Sequence, residues 1–267
     1  MSNVVVITGS TRGIGAGLAR AFLERSCEVV ISGRTDAGVD AACEAMQQAA
    51  PQGALLGVVC DVRKHEQVQQ LWGRAADMFG KVDIWINNAG IAHAQMPVHT
   101  YPPGLISSVV DTNIVGVVNG AQVAIQGMLS QGHGSLYNMH GLGSDGRKLE
   151  GLALYGTTKY GIRYLTDSLI RELKESAVRV GSINPGMVVT DLLTAQYVEK
   201  PEEWQRAQRI FNLLADRVET VAPWLADQIL SNERHGTAIR WLTTGKIVKR
   251  FILAPFVRRN VVGDVTP

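Results

Sequence analysis

The sequence predicts an α/β fold: a doubly wound parallel sheet of about seven strands with helices on both faces. Three observations carry this. Short β-branched runs alternate with helix-length segments from the first residues onward. Hydrophobic residues make up 46% of the 267-residue chain and charged residues 19%, so the strands read as buried on both sides. A glycine-rich strand-to-helix turn occupies residues Thr8 to Gly15, and an amphipathic helix follows it directly.

The strands are expected at Val4 to Thr8, Glu28 to Ser32, Ala54 to Cys60, Val82 to Asn87, Ser135 to Met139 and Val178 to Ile183. A helix from Gly13 to Arg25 gathers Ile14, Leu18, Ala21 and Phe22 on one face, and one from Glu66 to Phe79 gathers Val68, Leu71, Trp72, Ala75 and Phe79. After Pro185 the rhythm gives way to a polar, helix-prone insert at about 191–233, which carries Trp204, Phe211 and Trp224 and reads as a substrate lid. Thr237 to Thr243 offers a seventh strand, inside a basic C-terminal segment at about 234–267. With no internal repeat and no Pro/Gly/Ser linker, residues 1–267 count as a single domain.

Composition excludes several classes of function. A net charge of +2 gives no electrostatic footprint for nucleic acid. Cys27, Cys43 and Cys60 are odd in number and form no CxxC pair, which predicts a reduced, cytoplasmic setting. Too few residues precede the first apolar run for an export signal, and no apolar stretch is long enough to span a bilayer. The histidines show no metal-ligand spacing, so no metal is expected.

Gly9, Gly13 and Gly15, with Ser10, Arg12 and Ile14 between them, would let backbone N–H groups and a helix N-terminus approach a pyrophosphate. At the end of the second strand an acidic residue would accept a ribose 2′-hydroxyl; Arg34 stands there instead. A guanidinium suits a 2′-phosphate, so with Arg12 and Ser10 it predicts a clamp for NADPH/NADP+. Tyr155 and Lys159, four residues apart, share one helix face and pair a phenol with an ammonium for acid–base work.

With these residues in view, the chain resembles the short-chain dehydrogenase/reductase family. The matching motifs are the glycine loop, Asp61-Val62, Asn87-Asn88-Ala89-Gly90, Asn113, Tyr155/Lys159 and Pro185-Gly186-Met187-Val188-Val189-Thr190. The resemblance implies a Rossmann-type fold with adenine near Asp61 and Val62, and the cofactor lying past Asn88, Ala89 and Gly90. Nicotinamide would be held near Pro185, Gly186, Val188 and Thr190. It also implies that Tyr155 donates a proton, that Lys159 binds the nicotinamide ribose and lowers the tyrosine pKa, and that Asn113 holds a relay water.

Relatives carry a serine thirteen residues before the tyrosine, where this chain has Leu142. Aligned on the strand end instead, that position falls on Gly141. Ser144 is the candidate for polarising the substrate carbonyl, with His140 as the alternative. The stretches Asn138 to Ser144, Tyr155 to Lys159, Ser182 to Leu193, Leu214 to Ala222 and Ile239 to Lys246 resemble the chlorophyll b reductase branch. This implies NADPH-dependent reduction of the C7 formyl group of a bulky tetrapyrrole, with Trp204, Phe211 and Trp224 forming an apolar mouth. Two alternatives stay open: a carbonyl reductase or alcohol dehydrogenase for another hydrophobic aldehyde or ketone, and a non-catalytic NADPH sensor. A homo-oligomer is expected.

Between Arg234 and Arg259 there are seven Lys or Arg and no Asp or Glu. A helix at 245–257 would set Ile247, Val248, Phe251 and Ile252 opposite Lys246, Lys249 and Arg250. That pattern suits contact with a membrane surface, and equally packing against the domain or a second subunit.

Overall fold

The computed structural model describes residues 2–194, Tyr197 and 201–263. Six strands follow one another as β1 (Val4–Ile7), β2 (Glu28–Gly33), β3 (Leu55–Val59), β4 (Ile84–Asn87), β5 (Gly134–Met139) and β6 (Val178–Asn184). With β9 (Ala238–Arg240) they form one parallel sheet in the order β3-β2-β1-β4-β5-β6-β9. Each expected strand is present within a few residues.

Side-chain alternation along β1 explains the two layers. Val5 and Ile7 point into a core built with Leu18 and Phe22 of α1 (Gly13–Leu23) and with Met46 of α2 (Asp36–Ala49). Val6 points the other way, into a core with Val68 and Leu71 of α3 (His65–Phe79) and Met128 of α5 (Gly116–Gln131). All four residues of β1 are fully buried, as a strand covered on both faces must be.

The chain reverses its direction of travel across the sheet between β1 and β4, and their carboxyl ends leave a crevice. In open α/β sheets this is where ligands bind. The loop after β1, the loop after β4, the end of β5 and the start of α6 (Ala153–Glu172) converge there.

The stretch after β6 differs from a simple lid. A short parallel pair, β7 (Val188–Val189) with β8 (Asp216–Arg217), ties the segment after Pro185 to the end of α8 (Pro201–Leu214). Trp204 and Phe211 are 6% and 5% exposed, packed with Tyr197, Met187 and Val262 in a small core of their own. Helix α9 (Val218–Leu230) buries Val221, Leu225 and Ile229 in the same core as α1, and Trp224 stacks edgewise on Trp241 at 5.3 Å. The expected apolar mouth lined by Trp204, Phe211 and Trp224 is therefore corrected. These aromatics are spent on holding the insert together and on covering the sheet.

Candidate active site

The glycine loop is shaped by contacts that a side chain would fill. Gly9 and Gly13 have φ of +61° and +60°, and a Cβ on Gly9 would lie 2.7 Å from Cα of Ala89. A Cβ on Gly15 would meet the amide of Asn88 at 2.5 Å. The loop after β4 grips the glycine loop from the other side. Asn88 Nδ2 donates to the carbonyls of Thr8 and Gly9 at 2.9 Å each, and the N–H groups of Asn88 and Ala89 donate to Thr8 Oγ1. The Asn88 side chain thus secures the loop.

Helix α1 begins with no side-chain cap on its first turn. Uncapped N–H groups carry partial positive charge, which favours an anion. This open N-terminus, backed by glycines, fits the pyrophosphate of a dinucleotide. Thr190 reaches the same place, its methyl 3.5 Å from where a Gly13 Cβ would lie.

The Ser10 side chain does not share this role. It is buried, donates to the Ile7 carbonyl at 2.6 Å and accepts from the Ser32 N–H at 3.0 Å, so it ties β1 to β2. The Ser10 hydroxyl expected in the clamp is thus taken up by the sheet. Arg34 is exposed at the end of β2, and exposed Arg12 approaches Asp191 at 3.7 Å. Arg63, which the sequence reading passed over, holds the Asp61 carboxylate through both oxygens, the shortest contact being 2.6 Å. Together with weaker attraction from Arg34, this keeps the Asp61 carboxyl below its ordinary pKa despite partial burial. Its position directly after Asp61-Val62 was the signal that could have found it. Val62 itself is 6% exposed and packs where a Gly116 Cβ would lie.

Asn113 is fully buried in a π-helical turn, Asp111–Val115, between α4 (Leu105–Val110) and α5. Such turns cluster at functional sites. Its amide accepts from Ile91 N–H at 2.8 Å and donates to the Ile91 carbonyl and to Thr158 Oγ1. A Cβ on Gly90 would be 3.3 Å from Asn113 Oδ1 and 3.7 Å from Lys159 Nζ, which brings these three positions together.

Lys159 is buried on α6, its Nζ donating to the Met139 carbonyl at 3.3 Å and standing 5.8 Å from the Tyr155 ring centroid. Burial dominates both partners: it pushes Tyr155 up to about 12 and brings Lys159 down to about 8. Burial of the phenol therefore opposes the lowering expected from Lys159. At neutral pH the phenol keeps its proton.

The position beside the tyrosine hydroxyl is Gly141, where a Cβ would lie 2.8 Å from Tyr155 Oη and 3.2 Å from Lys159 Cε. Ser144 sits three residues on, in a turn closed by its N–H on the Gly141 carbonyl at 3.0 Å. It is 3% exposed, and its own carbonyl accepts from Arg163. His140 is engaged elsewhere. Thr166 donates its hydroxyl proton to the Ile162 carbonyl, so His140 Nε2, at 3.2 Å, must be the donor to Thr166 Oγ1. Burial and nearby Lys159 take His140 down to about 4, so it is neutral and belongs to a polar chain running through Thr166 and Asn138 to Asn87.

Glycine loop, Asn113, Tyr155 and Lys159 therefore meet in one crevice. The family model for short chain dehydrogenases matches residues 3–201. The chain belongs to this family. Two rice relatives are named as reductases of chlorophyll(ide) b. One is the probable chlorophyll(ide) b reductase NYC1 of Oryza sativa subsp. japonica, 36% identical over 96% of this chain and 53% of the relative. The other, NOL of the same species, is 36% identical over 96% of this chain and 76% of the relative. The chain thus spans about half the length of NYC1 and three quarters of NOL. Among solved structures, the 3-ketoacyl-(acyl-carrier-protein) reductase of Brucella melitensis complexed with NADH is 27% identical, with a TM-score of 0.77 over 89% of this chain and 96% of that one.

The fold and membership of an oxidoreductase family that uses nicotinamide cofactors follow. The cytoplasmic expectation is corrected: both rice relatives are chloroplastic. Cys27, Cys43 and Cys60 form no disulfide with one another. No helix among the described residues is long and apolar enough to cross a membrane.

Proposed function

We propose that the protein is an NADPH-dependent reductase of the C7 formyl group of chlorophyll(ide) b or a closely related tetrapyrrole. The observation that carries this is the Tyr155–Lys159 pair facing Gly141, in a chain that aligns over 96% of its length with relatives of that name. A glycine beside the proton donor leaves room for the oxygen of a substrate too bulky to approach past a serine.

A reduced nicotinamide, when bound, supplies the hydride to the formyl carbon. The chain's own groups do the rest. The open N-terminus of α1 and the glycine loop would bind the pyrophosphate. Arg34, which like Arg63 acts on Asp61, would give a 2′-phosphate a cationic surround, and this supports NADPH over NADH. Pro185, Gly186, Val188 and Thr190 would border the nicotinamide. Tyr155 passes its phenolic proton to the carbonyl oxygen, and Ser144 holds that oxygen as charge develops. Lys159 would hold the nicotinamide ribose and, with a water kept by Asn113, would return a proton to the tyrosine.

The test is NADPH consumption, at matched concentrations, over a panel running from small aromatic aldehydes and ketones to chlorophyllide b. Fastest kcat/KM on the formyl pigment supports the reading. Brisk turnover of a small ketone with none of the pigment hands the case to a general carbonyl reductase, and no turnover of any carbonyl with intact NADPH binding hands it to a sensor.

A further inference from the structure

The helix α10 (Thr244–Leu253) sits on the protein the wrong way round. A surface helix ordinarily buries its apolar stripe and shows its charges to water. Here two of its three cations face inward. Lys246 Nζ lies 3.0 Å from the centroid of the Trp241 ring. Arg250 donates to the Leu214 carbonyl at 2.8 Å and to Asp216 Oδ2 at 2.6 Å. Beyond the helix, Arg259 donates to the carbonyls of Leu213 and Ala215 and to Asp216 Oδ1 at 2.6 Å.

Asp216 is 6% exposed, so its charge is held by two guanidinium groups and by Trp241 Nε1 at 2.6 Å. The same arginines satisfy the last carbonyls of α8, the negative end of that helix. Such buried, charge-assisted contacts fix the orientation of α10.

What is left outside is apolar. Val248 is 51% exposed, Phe251 53%, Ile252 64%, Phe256 82% and Val257 53%. Nothing among the described residues covers them. Exposed Lys249 and Arg258 border this strip, and no Asp or Glu occurs anywhere from 234 to 263.

We propose that this face docks on an anionic lipid surface. Charge decides between the occupants. A second copy related by a two-fold axis would set the cations bordering one strip against those bordering the other, with no acid in the segment to offset them. An anionic bilayer offers an apolar boundary for Phe251, Ile252 and Phe256 and negative headgroups for Lys249 and Arg258. The proposal is independent of which carbonyl the enzyme reduces.

The test uses the full chain and sedimentation with two kinds of vesicle, phosphatidylcholine alone and phosphatidylcholine with phosphatidylglycerol. Wild type should pellet with the phosphatidylglycerol vesicles and be released by salt. The double variant Phe251→Glu/Ile252→Glu should bind at least about tenfold more weakly, and Lys249→Glu/Arg258→Glu should lose about as much. All four positions are exposed, so melting temperature and hydrodynamic mass should stay as in wild type. Wild type remaining in the supernatant with both kinds of vesicle, or variants that bind like wild type, would overturn the proposal. So would a fall in hydrodynamic mass on mutating Phe251 and Ile252, which would assign the face to a second copy.

Discussion

Gly141 abuts the hydroxyl of Tyr155, so that a Cβ at that position would lie only 2.8 Å from the phenolic oxygen. That separation is too short for a carbon and an oxygen not bonded to each other, so any side chain there must push the tyrosine aside. Gly141→Ala is expected to lower kcat about tenfold or more, since misplacing a reacting group by a fraction of an ångström is costly. Cofactor affinity, read by fluorescence titration with NADPH, should fall less than kcat, because a Cβ at Gly141 would press on Lys159 but on no part of the glycine loop. A variant as fast as wild type would show that the tyrosine is not the proton donor in this position.

Tyr155→Phe should remove nearly all turnover and leave NADPH binding largely intact. The pH dependence follows from the two shifts. Tyr155, pushed up to about 12, remains a protonated donor throughout the physiological range, whereas Lys159, brought down to about 8, loses its charge above that pH. Turnover should therefore hold below about pH 8 and fall above it, and stopped-flow rates of hydride transfer across pH 6–10 would reveal this as a single descending limb. An ascending limb in that range would mean that the tyrosine must ionise first.

Ser144→Ala is expected to slow turnover by about 10²-fold if its hydroxyl holds the developing oxyanion. His140→Asn should alter stability more than catalysis. The histidine is neutral when folded down to about pH 4 and protonates near 6.5 when unfolded, so the unfolded chain binds more protons in between. Its contribution is present above pH 6.5 and is lost as pH falls toward 4, on the order of 3 kcal/mol. Urea unfolding at several pH values should show a shallower acid slope for the variant. A Ser144→Ala enzyme near wild type beside a crippled His140→Asn enzyme would transfer the polarising role to the histidine.

Arg34→Asp should weaken NADPH binding about tenfold to a hundredfold, the worth of a charge-assisted phosphate contact, and should spare NADH. Arg63→Ala should weaken NADPH less, because Arg63 is already committed to Asp61. Equal affinity of the wild type for both dinucleotides, measured by titration calorimetry, would remove the case for a 2′-phosphate site.

Much of this was legible in the sequence for definite physical reasons. Strands buried on both faces leave unbroken apolar runs such as Val4 to Ile7, and the glycines mark places where backbone passes within a Cβ of its neighbour. The site residues that sequence motifs carry are Gly9, Gly13, Gly15, Asn113, Tyr155 and Lys159. What escaped were partnerships between distant residues. Whether Ser10 points to a phosphate or to Ser32, and whether an amphipathic helix turns its charged or its apolar side inward, depends on a buried carboxylate at Asp216 and on carbonyls left by α8. No local periodicity encodes that. Trp204 and Phe211 misled for the same reason, since an aromatic stripe looks alike whether it lines a mouth or fills a small core.

The most direct test of the account is chromatographic analysis of pigment after incubating the purified protein with chlorophyllide b and NADPH. The formyl pigment should disappear in step with NADPH and be replaced one for one by its hydroxymethyl product, and Tyr155→Phe should leave it untouched. Unchanged chlorophyllide b in the presence of a protein shown to bind NADPH would contradict the proposed substrate.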